Sequence, residues 1–177
     1  MIKIVLTNTI LNYITQIECN RFVVSQFPLP RTIQSKLRKN SKKKSSFSSN
    51  KIEGNPLSEK QAYDVIDGES NRHLLKPEQE IRNYYLALSF LEKKLGEKTP
   101  FSLSLILDTQ KLVVKGASKE KIGLRGPMPP GVLFAVYDNE TGNPDYIPPE
   151  HSDVLPLLNE LVEYVNTTDD HPLIVSA

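Results

Sequence analysis

The fold class this sequence predicts is mainly α-helical with one β-hairpin, and three observations predict it. Apolar residues recur at spacings of three and four through most of the 177 residues. Helix start and stop residues bracket those stretches. Glycine, proline and β-branched residues then crowd into one late segment, 123 to 150, where no helix can continue.

The elements follow in order. Ile4, Val5, Ile10, Leu11, Ile14, Ile17 and Val23 place an amphipathic helix over 3 to 25. The tract FPLPR at 27 to 31 breaks it, because Pro28 and Pro30 lack a backbone donor. A polar helix runs from Thr32 to the mid-forties. Ser58 and Gln61 form a capping box that opens a helix over 58 to 67, ending near Gly68. The strongest helix signal is KPEQEIRNYYLALSFLEKKLG, 76 to 96. Pro77 suits its first turn, Glu78 and Glu80 complement the positive end of the dipole, and Lys93 and Lys94 the negative end. Ile81, Tyr84, Tyr85, Leu88, Leu91 and Leu95 give it a wide apolar face, with both tyrosines expected in the core. Ser102 caps the next helix, which closes at Gly116.

In the late segment, VLFAVYD at 132 to 138 has strand composition, and Asp138 to Asn143 supplies the turn residues of a hairpin. Its apolar residues are expected to pack inward. Ser152 is expected to cap the last full helix, with Leu155, Leu158, Leu161, Val162 and Val165 on one face, and Asp170 with Pro172 begins a short final helix.

Composition narrows the function. The single cysteine, Cys19, forms no internal disulfide, and no apolar run approaches the roughly 18 residues of a membrane span, so a cytoplasmic protein with no membrane partner is expected. His73, His151, His171 and Cys19 lack metal-ligand spacing, and no metal site is expected. Arg31, Lys36, Arg38, Lys39, Lys42, Lys43 and Lys44 carry seven positive charges against a chain total of +1. Such a block attracts phosphate, but no aromatic residue interleaves it to stack bases, so a solvated face is favoured over a nucleic-acid partner. There is no GxSxG elbow and no GxxxxGK[ST] loop.

Four segments occur in an order that resembles the Fic family: SSNKIEGNPLS, PEQEIRNYYLALSFL, GLRGPMPPGVLFAVYDNETGNPDYIPPEHSDVLPLLNELVEYVN, and HPLI. The resemblance runs from about residue 28 onward. It implies a partial Fic-like helical bundle with a β-hairpin flap, and a family activity that transfers AMP from ATP to a hydroxyl of a target protein. It implies two parts: N-terminal helices with an inhibitory motif over 1 to 57, and a Fic core over 58 to 177 with its flap at 131 to 148.

Ser49, Glu53 and Gly54 are similar to the family's inhibitory motif [S/T]xxxE[G/N]. There the glutamate holds an arginine of the active-site loop and keeps the ATP γ-phosphate from productive placement. Read locally, Glu53 is equally a helix-end carboxylate beside a glycine stop. Val132, Leu133, Phe134 and Val136 match the flap that holds a target peptide as an added strand; read locally, they cover a core. The family loop HxFx[D/E]GNGRxxR is missing from the 177 residues, and His171-Pro172-Leu173 aligns before it. The resemblance therefore implies a truncated chain with no catalytic residue of its own. No cofactor is expected for this chain alone, whereas ATP and Mg²⁺ serve the full family. Its expected partner is a protein target, or a second copy in a homodimer. The alternative is an interaction module that binds through the flap edge or an exposed apolar surface.

Overall fold

The computed structural model describes residues 5–68, 74–117, 122–132, 134–138 and 140–176. Among them are seven helices and one two-stranded antiparallel sheet, so the protein is mainly helical as its sequence predicts. His73 lies outside the described residues. The chain divides into two compact units, Met1–Ser41 with Thr168–Ala177, and Lys42–Thr167.

In the first unit, α1 (Asn8–Ser25) starts later than residue 3, because the Thr7 hydroxyl accepts a hydrogen bond from the Ile10 amide at 3.2 Å and fixes the N-cap there. The short α7 (Pro172–Val175) is capped by His171 rather than Asp170. With Pro172 at the first helical position, His171 is the residue placed to receive the Leu173 amide on Nδ1, at 3.2 Å. The other nitrogen of His171 meets Glu18 at 3.2 Å, and Arg21 meets the same carboxylate at 2.8 Å. Arg21 is the main cause holding the Glu18 carboxyl below its ordinary range.

Helix α2 (Arg31–Ile52) continues past the mid-forties, where the sequence reading ended it. In the second unit, Lys42 bonds Ser89 at 3.1 Å and also pairs with Glu92, while Lys43 pairs with Asp67. Ser46 is fully buried, with its hydroxyl donating to the Lys42 carbonyl at 2.8 Å. These tertiary contacts outweigh weak helix propensity. Lys42 also lies over the Tyr85 ring and Lys43 over the Tyr63 ring, so these two cations of the basic block are held inside the fold.

Helix α3 (Glu59–Asp67) carries the Ser58 and Gln61 capping box expected of it, and α4 spans Lys76–Gly96. Ala62, Val65 and Ile81 form the core between them, with Phe47, Leu57 and Ile66 packed alongside. Helix α5 (Leu103–Val114) begins at the Ser102 cap. Its C-terminal carbonyls are held by buried Asn83 of α4, whose amide donates to Val113 and Lys115 at 2.8 and 2.7 Å and accepts from Gln79 at 2.7 Å.

The hairpin is shorter than its composition suggests. Only β1 (Val136–Tyr137) and β2 (Pro144–Tyr146) pair, with Val136 opposite Tyr146 and an irregular register beside it. Upstream, Pro127, Pro129 and Pro130 deny the chain ladder donors. The turn is set by the Asp138 carboxylate, which accepts from the Glu140 and Thr141 amides at 2.7 Å each.

Helix α6 is His151–Thr167. Ser152 lies within it and its hydroxyl meets the Asp153 carboxylate, so it does not act as the cap. Of its expected inner face, Leu158, Val162 and Val165 are partly buried, while Leu155 and Leu161 are exposed.

Candidate functional site

The end of α2 is built as a stop and as a platform. The Gly54 amide donates to the Lys51 carbonyl at 3.1 Å and the Asn55 amide to the Asn50 carbonyl at 2.9 Å, with Gly54 at φ +83°. This paired pattern is a Schellman stop, and it needs the left-handed conformation that glycine adopts without strain. Glu53 is the residue just before the glycine, so the local reading of a helix-end carboxylate is realised in the backbone. Its side chain is exposed and makes no hydrogen bond or ion pair with any described residue.

Two contacts fix this end of the helix. One turn before Glu53, the Ser49 hydroxyl donates to the Tyr84 hydroxyl of α4 at 2.9 Å. Two residues after it, Asn55 is 6% exposed; its amide donates to the Pro77 carbonyl and the Glu80 carboxylate, both at 3.0 Å, and its oxygen accepts from the Leu57 amide at 3.1 Å. Ser49 and Asn55 therefore hold the backbone on either side of Glu53 while the carboxylate points free. A fixed, solvated carboxylate at a helix end suits a guanidinium, which can take both oxygens at once.

Of the residues singled out from sequence, Ser49, Glu53 and Gly54 come together here. Asn55 and Tyr84 complete the arrangement. Asn55 carried no sequence signal, and Tyr84 was expected to be a core residue. It is half-buried, and its hydroxyl is what reaches Ser49.

The flap is a separate feature. Val132, Phe134 and Val136 are 50%, 46% and 56% exposed, so these side chains do not pack inward as the local reading expected. Of the three only Val136 lies in the two-stranded sheet, and so short a ribbon cannot bury a face by itself. Leu133, the fourth flap residue, lies outside the described residues. Arg125 stacks over Phe134 at 4.8 Å from the ring centre, and one of its buried guanidinium nitrogens makes no hydrogen bond. The Gln110 amide clamps the chain ahead of the flap, bonding both the amide and the carbonyl of Gly123, at 2.9 and 3.2 Å.

No group of three histidine, cysteine, aspartate or glutamate side chains assembles among the described residues. No described helix is long and apolar enough to cross a membrane.

No protein-family model matches the chain, and no curated protein matches it significantly. Among solved structures, the chain is similar to a Fic family protein from Desulfovibrio desulfuricans, with a TM-score of 0.72 at 21% identity. The match covers 98% of this chain and 50% of that one, so the chain spans half the length of the structure it resembles. At that identity the likeness shows the fold, a Fic-like helical arrangement.

Proposed function

We propose that these residues are the regulatory and target-docking portion of a Fic-type protein AMP-transferase. The observation that carries this reading is Glu53: an exposed carboxylate without a partner among the described residues, on a helix end anchored through Ser49 and Asn55. An anchored carboxylate serves as a brake because it can occupy an arginine that a triphosphate otherwise needs. Ser49 and Gly54 are positioning residues, one tying the last turn to α4 and the other allowing the stop that ends it. The arginine belongs to the family loop HxFx[D/E]GNGRxxR, which these residues do not include. ATP and Mg²⁺ are bound by the whole family protein, and this portion alone transfers no AMP.

The flap supplies the docking edge. Its exposed Val132, Phe134 and Val136 and its unpaired strand edges suit a target polypeptide added as a further strand, with main-chain hydrogen bonds giving affinity and the apolar side chains giving selectivity. We place the protein in the cytoplasm, where ATP is available and where the free, exposed Cys19 stays reduced.

The test is transfer of radiolabel from ATP. The chain alone is expected to label nothing. Mixed with a polypeptide that carries the loop and its flanking helices, it is expected to support labelling that rises when Glu53 is changed to glycine. Labelling by the chain alone, or labelling by the mixture that ignores Glu53→Gly, would overturn the reading.

A further inference from the structure

Every lysine and arginine of the chain, 22 in all, precedes Gly126. The flap that follows carries Asp138, Glu140, Asp145 and Glu150, all exposed. The Asp138 carboxylate takes only neutral amides, and those of Glu140, Asp145 and Glu150 form no ion pair or hydrogen bond among the described residues. The nearest cation in sequence, Arg125, is stacked on Phe134 at the upstream end of the flap. The end where β1 and β2 pair is therefore acidic and uncompensated. The two strands also differ as edges. Strand β2 opens at Pro144, and Pro148 and Pro149 follow it, so that side lacks ladder donors. Strand β1 has no proline between Gly131 and Asn143, and no lysine, the residue that commonly keeps an edge strand from pairing. Val136, Tyr137 and Tyr146 are exposed beside that edge.

We propose that the segment added at β1 is basic: an extended polypeptide whose lysine or arginine side chains meet Asp138, Glu140 and Asp145 while its apolar side chains cover Val136 and Tyr146. Val136 and Tyr146 stand opposite each other in the ladder, so one apolar side chain of the added strand reaches both. Acidic peptides and nucleic-acid phosphates are repelled by the same carboxylates. The basic block of a second copy is not this partner, because it lies in α2 and a helix cannot extend a β-ladder. An exposed ion pair contributes at most about a factor of five, so main-chain bonds and apolar contact hold the strand and the charges select it. The inference rests on the flap-docking reading given under the proposed function and adds the chemistry of the target.

Fluorescence anisotropy of labelled peptides titrated with the full chain tests it. The first peptide intersperses lysine among serine and valine, the second has glutamate in place of each lysine, and the third keeps the lysines but has proline at alternate positions so that it cannot pair as a strand. The lysine peptide is expected to bind about tenfold more tightly than either of the others at low salt, and its advantage over the glutamate peptide is expected to shrink as salt rises. Glu140→Gln combined with Asp145→Asn, at exposed side chains, is expected to weaken the lysine peptide about fivefold and to leave the far-UV circular dichroism unchanged. Asp138 stays in place because it holds the turn. Equal binding of the lysine and glutamate peptides, with the proline peptide excluded, would overturn the basic preference and leave flap docking standing. Tighter binding of the glutamate peptide would give the edge to an acidic partner, with the same consequence. Lysine-peptide binding that survives the prolines, or that ignores the double substitution, would overturn the inference as attraction to charge away from the β1 edge. Binding of none of the peptides would overturn the docking reading as well.

Discussion

Asn55→Ala removes the anchor on the far side of the candidate site, and its cost can be worked from the contacts. The substitution deletes a donor to the Pro77 carbonyl, a donor to the Glu80 carboxylate and an acceptor for the Leu57 amide. Two are neutral bonds of about 1 kcal/mol each and one is charge-assisted at about 1.5–3 kcal/mol, for a gross loss of about 3.5–5 kcal/mol. Pro77, Glu80 and Leu57 are only half-buried, so water recovers part of this, and the net destabilisation is about 2–3 kcal/mol. With no tryptophan in the chain, unfolding in urea is followed by far-UV circular dichroism. In a thermal scan the same loss lowers Tm by roughly 5–10 °C for a chain of this size. Hydrogen exchange adds a local readout: amides at 51 to 54 are expected to lose protection before those of α4. Asn55→Asp is the sharper variant, since it sets a second carboxylate against Glu80 and is expected to cost more than alanine at neutral pH. Losses below about 0.5 kcal/mol with unchanged exchange at the end of α2 would refute the claim that Asn55 holds that end in place.

Asn83→Ala is expected to cost about 2–4 kcal/mol in the same urea assay, because it strands the Val113 and Lys115 carbonyls at the end of α5 without a donor. The Asp138 turn carries a pH dependence. Hydrogen bonds from the Thr141 and Glu140 amides hold the Asp138 carboxyl below its ordinary value of 3.8. A depressed folded-state pKa gives the turn a contribution that is complete above the unfolded value and lost as pH falls through the folded one. Amide chemical shifts of residues 140 and 141 are therefore expected to titrate with a midpoint below 3.8. Movement centred above that point would contradict the turn geometry.

Helix α4 was legible nearly to the residue, because Pro77, the paired acids and lysines and Gly96 all act within a turn of its ends. The caps at Ser58 and Ser102 were legible for the same reason: each side chain bonds a backbone three residues away. The length of α2 was not. Its last turns are held by Lys42, Lys43, Ser46 and Ser49 reaching α3 and α4 or packing beneath them, and local propensity contains none of that information. Asn83 and Gln110 were missed on similar grounds, since their backbone partners lie 30 and 13 residues away. The apolar run of the flap suggested an inward face, yet a two-stranded ribbon buries none. At the candidate site the motif residues were visible in sequence. That Glu53 projects freely while its neighbours are tied to α4 required the fold.

On the proposed function, the Glu53 carboxylate takes an arginine of the family loop. A double-mutant cycle tests it most directly, with calorimetric binding of the loop-bearing polypeptide measured for Glu53→Gln, for replacement of the loop arginine by alanine, and for both together. A coupling of about 1.5–3 kcal/mol between the two groups is expected. Effects that add to within about 0.5 kcal/mol, or affinity that does not change with Glu53, would contradict it.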